Sequence, residues 1–197
     1  MAFLLRLKHW QLFVLLIGVP FILEILVMII VASTGSLMGM FIALPIMMFA
    51  AVFFFFGWFY TLGTRLYQKL PPTVTMKLGL FKFFLFFPSI YLVIFSCLMY
   101  LMFTNLEPGG QPSPFIFVII FPLHIFSMFC IFYCIYFNAK VLKAVELQRP
   151  VTFSDYAGEF FMIWMFPIGI WILQPRINKL FDSSLNDDNH RILDETI

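Results

Sequence analysis

Few residues in this chain could do chemistry, and those few stand in oily surroundings. Glu24, Ser96 and His124 each lie inside a long apolar stretch. A carboxyl and an imidazole placed there could pass a proton between them, because burial pushes the carboxyl towards its neutral form and imidazole titrates near neutrality. An ionisable group inside a membrane is costly, which makes it a functional candidate at once. After His124, the residues Ser127, Ile131, Cys134 and Asn138 follow at 3-4-3-4 spacing and form one seam on a helix. That seam is predicted to face a bundle, with Phe126, Phe129, Tyr133 and Phe137 turned to lipid. The plainer reading of these polar groups is contact between helices, worth about 0.6 kcal/mol each.

No other chemistry finds a motif. Cys97, Cys130 and Cys134 all fall in apolar stretches and read as small packing residues. His9 and His190 lie far from His124 in sequence, so a haem inside the bundle would lack a second histidine. There is no HExxH, no Gly-rich phosphate loop and no Gly-x-Ser-x-Gly. The expectation is a protein that is not an enzyme and holds neither cofactor nor metal.

The elements that must position these residues follow from composition. Of 197 residues, 62% are apolar, 20% aromatic and 11% charged. Soluble domains run at about 45–50% apolar and about 25% charged, so a water-soluble globule is excluded. A net charge of +2 with no basic cluster excludes a nucleic-acid partner. The main partner is a lipid bilayer.

Four stretches reach the roughly 20 apolar residues needed to cross a hydrocarbon core: 12–32, 37–62, 83–103 and 115–137. Nothing alternates as a membrane β-barrel would, and open backbone groups in lipid require helices. Glu24 does not prevent insertion. The first stretch has sixteen Leu, Ile, Val and Phe residues, together worth about −5 to −10 kcal/mol, against about +3 for a central charge. Each stretch holds one proline (Pro20, Pro45, Pro88, Pro122), so kinks are expected. Gly35, Gly39 and Ala43 recur every four residues and predict a notch where two helices approach closely.

Lysine and arginine placement sets the orientation. Arg6 and Lys8 precede the first stretch, Arg65, Lys69, Lys77 and Lys82 separate the second and third, and Lys140, Lys143 and Arg149 follow the fourth. The connections 33–36 and 104–114 contain neither residue type. Those two loops face outward, and the segment before the first span is cytoplasmic, as in a bacterial inner membrane. By this count Glu24, His124 and Ser96 lie 12, 13 and 13 residues from the cytoplasmic ends of their spans, about 18–20 Å in. They are predicted to share one layer.

A fifth apolar run, 160–173, has only 14 uncharged residues and reaches 18 over 156–173 by including Glu159. Runs of 10–14 residues more often dip or lie at the interface than span. A re-entrant hairpin turning at Pro167 and Gly169 keeps all twelve Lys and Arg residues inside; a fifth span is the competitor. Thr152-Phe-Ser-Asp155 reads as a variant capping box opening a helix. Residues 175–197 read as a polar, unstructured cytoplasmic tail.

The fold class is thus an all-α integral membrane protein, a single bundle over 1–174 of four transmembrane helices plus a re-entrant or fifth spanning segment. Two functions fit. One is a non-enzymatic helper or subunit of a larger membrane complex, with a protein partner in the membrane. The other is a small transporter or channel using the Glu24/His124 layer.

Overall fold

The computed structural model describes residues 2–35, 38–104 and 114–195. After a short 3₁₀ turn, Ala2–Leu5, the chain forms α1 (His9–Phe13), a π-helical turn (Val14–Gly18), α2 (Val19–Thr34), α3 (Met38–Tyr67), α4 (Leu78–Thr104), α5 (Pro114–Leu147), α6 (Phe153–Trp164) and α7 (Phe166–Glu195). No strand occurs among the described residues. Four helical segments, His9–Thr34, Pro45–Tyr67, Leu78–Met102 and Ile116–Leu147, are long and apolar enough to cross a membrane. They fall on the four predicted stretches, and the all-α membrane bundle stands. The outward loop expected at 104–114 lies, between its ends, outside the described residues.

The prolines act differently from one another. Pro20 lacks an N–H, and its ring crowds the carbonyl four residues back. The chain answers with the π turn just before it, where the Val19 N–H bonds the Val14 carbonyl. Pro45, Pro88 and Pro122 sit within continuous helices. α2 ends at Gly35, whose φ of 64° is left-handed and whose N–H bonds the Val31 carbonyl at 2.9 Å. Gly35 is therefore a helix terminator, not part of a notch: a Cβ there would meet nothing within 4 Å. Ala43 is half-buried on α3, and the packing of Gly39 lies outside the described residues.

α3 is the central element, packed against α2, α4 and α5; α6 lies on α5, α7 on α6, and α7 returns to α1 and the first 3₁₀ turn. Neighbouring long helices are antiparallel: Tyr60 and Gly63 of α3 meet Phe86 and Phe81 of α4, and across α4 and α5 Phe84 meets Tyr133, Tyr91 meets His124, and Phe81 stacks on Phe137 at 4.2 Å. The buried core gathers at the end of the bundle that holds the 3₁₀ turn and the α6–α7 pair. Trp58, Phe59, Leu62 and Leu66 of α3 meet Phe81, Leu85, Phe137 and Leu142 there. Gly63 makes room for this packing, since a Cβ would stand 2.6 Å from the Phe81 ring and 2.9 Å from the Asn138 amide oxygen. Phe137, predicted to face lipid, is fully buried because α5 is covered all round at this end.

The opposite end is bare. Phe21, Ile22, Met28 and Ile29 on α2 and Val118, Ile119 and Phe121 on α5 are all more than half exposed. A water-soluble monomer does not carry a contiguous apolar surface of this kind. This is a membrane protein whose apolar helices meet lipid.

The fifth apolar run divides into two helices. The break falls at Met165 (φ −83°, ψ 50°), two residues before the predicted turn at Pro167 and Gly169. Pro167 instead occupies the first turn of α7, where its missing N–H costs nothing. Gly169 serves close approach: any Cβ there would run into the Met162 carbonyl. The stretch expected to be an unstructured tail continues α7 through Pro175 to Glu195. Leu173 and Ile177 anchor that helix in the core, with Leu180 and Phe181 packed beside them. Nucleation is the costly step of helix formation, so extension from an anchored stretch costs little.

Candidate functional site

The densest polar arrangement lies where α7 meets the N-terminal segment. Gln174 is fully buried. Its amide nitrogen faces the carbonyls of Leu4, Leu5 and Leu7 at 3.3, 3.3 and 3.0 Å and the Asn178 side-chain oxygen at 3.1 Å. Two N–H groups shared among four acceptors fix the amide orientation, because the flipped amide would set oxygen against oxygen. Asn178 adds a bond from its own nitrogen to the Leu7 carbonyl at 3.2 Å. These contacts satisfy carbonyls at the irregular start of the chain, which would otherwise be costly to bury. Around them, Trp171 meets His9 and Phe13, with ring centroids 4.8 and 5.6 Å apart.

Two residues along α7, Arg176 joins three helices. It grips Glu146 of α5 with two bonds, 3.0 and 2.6 Å, and reaches Glu159 of α6 at 2.7 Å. Lys143 bonds the same Glu159 oxygen at 3.1 Å and lies 3.7 Å from Glu146. Two cations thus balance two carboxylates. Burial alone would raise the Glu159 carboxyl, but the hydrogen bonds from Arg176 and Lys143 outweigh it and hold it below its usual value. Burial likewise works against the charge on Arg176, and Glu146 and Glu159 overcome it. At the start of α6, the predicted capping box is present with Asp in the third position. The Thr152 N–H and hydroxyl bond the Asp155 carboxylate at 2.8 and 2.9 Å, and Arg149 bonds it at 3.1 Å. The Thr152 bonds, with Arg149 behind them, hold Asp155 low.

The predicted intramembrane layer is not assembled as a site. Glu24 is exposed on α2, in a crevice of about 300 Å³ lined by Pro20, Val27 and Met28 of α2 and Met47, Met48 and Ala51 of α3. Among the described residues it has no hydrogen-bond or ion-pair partner. His124 is also exposed, and its Nδ1 lies 3.3 Å from the Tyr91 hydroxyl of α4. Ser96 is buried and bonds its own helix at the Val93 carbonyl, 2.8 Å away. The rest of the α5 seam does face inward: Ser127, Cys134 and Asn138 are buried. Asn138 donates to the Cys134 carbonyl at 3.0 Å, while its own oxygen has no hydrogen-bond partner among the described residues. The seam is correct along its buried part and fails at His124, which lies beyond the well-packed end.

Among the described residues no three His, Cys, Asp or Glu side chains converge as a metal ion would require. No protein-family model, curated protein or solved structure matches the chain. Of the residues that build the polar cluster, Gln174 and Arg176 lie in the Gln174-Pro-Arg-Ile-Asn178 stretch, whose unusual density of polar groups after an apolar run was the available signal. Glu146 carried no such signal, because spacing on α5 says nothing of what α7 brings to it.

Proposed function

We propose that this is a multi-pass protein of a bacterial cytoplasmic membrane that acts as a non-enzymatic subunit of a larger membrane assembly. The observation that carries this reading is α2. None of the most apolar part of His9–Thr34 is buried within the chain, and the helix holds a carboxylate with no partner among the described residues. An ionisable group in a span ordinarily faces a bundle interior or a partner, so a span left bare by its own chain fits one that another subunit covers. The polar groups at the opposite end support the same reading. Arg176, Lys143, Glu146, Glu159, Gln174 and Asn178 are engaged with one another or with backbone, as a structural clamp requires and an active site does not.

The α6–α7 pair fits a shallow re-entrant hairpin rather than a fifth span. Near its apex, Trp164 meets Phe132, and Phe166 meets Phe55 and Trp58. Those partners lie four to seven residues inside the predicted cytoplasmic ends of their spans, about 6–10 Å by the helical rise. The returning limb then packs on the first 3₁₀ turn. In this topology the N-terminal segment and α7 beyond the hairpin both lie in the cytoplasm.

Extraction in a mild detergent followed by native mass measurement tests the subunit reading. The expected result is a stable species larger than one chain; recovery only as single chains contradicts it. A transport role has one observation in its favour, the crevice at Glu24 between α2 and α3. It requires Glu24→Gln to abolish a solute flux while the protein still accumulates.

A further inference from the structure

We infer that Glu24 of one copy pairs with His124 of a second copy, so that the chain assembles with itself through the outer faces of α2 and α5. The inference rests on the subunit reading above and names the partner. Sequence spacing sets a carboxylate and an imidazole at one depth, and the fold then turns both outward on separate helices. Glu24 looks out beside α3 with no partner among the described residues, and His124 leans on α4 through Tyr91. Because Nδ1 faces the Tyr91 hydroxyl, the other ring nitrogen remains for a group beyond the chain.

The heights agree. Glu24 is ten residues from the end of α2 at Thr34, and His124 is ten residues from the start of α5 at Pro114. Those two ends lie on the same side of the bundle, because each long helix runs opposite to the next. At 1.5 Å per residue both groups stand about 15 Å below that side. Two copies inserted the same way in one bilayer therefore bring carboxylate and imidazole level without tilt or vertical shift. The surroundings also match: α2 offers Phe21, Met28 and Ile25, and α5 offers Phe121, Ile125 and Met128, all exposed. Each polar group alone in lipid is costly, and each supplies what the other lacks. The pair joins unlike residues, so across a two-fold axis it forms twice, and in a heterologous contact it leads to a ring or an open chain of subunits.

Cross-linking in native membranes tests this. In chains whose Cys97, Cys130 and Cys134 are replaced by alanine, Glu24→Cys is co-expressed with a differently tagged chain carrying His124→Cys, and a mild oxidant is added. The expected result is a disulfide-linked pair bearing both tags; with both cysteines in one chain, a dimer alone marks the two-fold arrangement and a ladder of higher species the ring or open chain. A depth-matched control, Glu24→Cys with Ile94→Cys, uses an exposed residue ten positions from the end of α4 and should give no such pair. If either polar variant fails to accumulate, Met28→Cys with Phe121→Cys probes the same two faces about one turn nearer that side. A native species larger than one chain that gives only 24–24 links, or none, overturns this inference and leaves the subunit reading standing. Single chains throughout overturn both.

Discussion

At the scale of single residues, Gln174 holds the N-terminal segment by its side chain, and no charge is involved. Replacing it with leucine keeps the volume, and strands the carbonyls of Leu4 and Leu5, while Leu7 keeps its bond from Asn178; a buried position makes this costly by about 1–3 kcal/mol. We expect Gln174→Leu to lower the thermal midpoint in detergent and to open Arg6 and Lys8 to trypsin, measured as the rate of N-terminal clipping. Glu159 yields a prediction in pH. Its folded-state value is depressed, so the stability it contributes is complete above the unfolded value, about 4.3, and is lost as pH falls through the folded one. Asp155, also held low, titrates in the same direction. Thermal unfolding between about pH 3 and 7 should therefore weaken on the acid side, and Glu159→Gln should flatten part of that slope while costing about 1–3 kcal/mol at neutral pH. An unchanged acid slope would remove Glu159 from the account. Glu24 and His124 mark what spacing can reveal at this scale. Counting residues along a span gives height, and the heights agree. It does not give the direction around the bundle, which is decided by which helices flank which, so an intrachain pair was legible that the fold does not make.

At the scale of elements, two glycines in the hairpin should behave oppositely. Gly169→Ala drives a methyl into the Met162 carbonyl, and backbone on both sides leaves no flexible neighbour to yield. We expect it to cost more than the 1–3 kcal/mol or so typical of overpacking, seen as loss of accumulation or a markedly lower melting point. Gly158→Ala meets nothing within 4 Å in the middle of α6 and should be neutral or stabilise by up to about 1 kcal/mol. Equal behaviour of the two would contradict the packed hairpin. The four long helices were legible because apolar length in lipid leaves the backbone no alternative. The break in the fifth apolar run was legible from Pro167 and Gly169 in a short run, yet it was misplaced. Proline reads as a breaker, but it also suits a helical first turn, and the break moved to Met165. The tail was misread for a related reason. Its polar residues show no helical face, and of the anchors that hold the helix, Leu173 lies upstream of the segment being read and Ile177 only at its beginning.

At the scale of the whole molecule, one end is a packed core and the other an oily surface. Phe81, Phe137, Trp58 and the α6–α7 pair fill the first; α2 and the distal part of α5 make the second. This division explains why α5, at 34 residues and about 51 Å, exceeds the hydrocarbon thickness. Its last turns run into the packed end and carry Lys143 and Glu146 to the clamp. The whole reading depends on four crossings with α7 returning to the side it left. The most direct measurement is accessibility of single cysteines at Ser33, Thr75 and Lys179, in chains without the three native cysteines, to a membrane-impermeant reagent applied to intact cells. Ser33 should react from outside, and Thr75 and Lys179 should react only after the membrane is opened. Labelling of Lys179 from outside, with Thr75 still protected, would mean a fifth crossing and contradict the account.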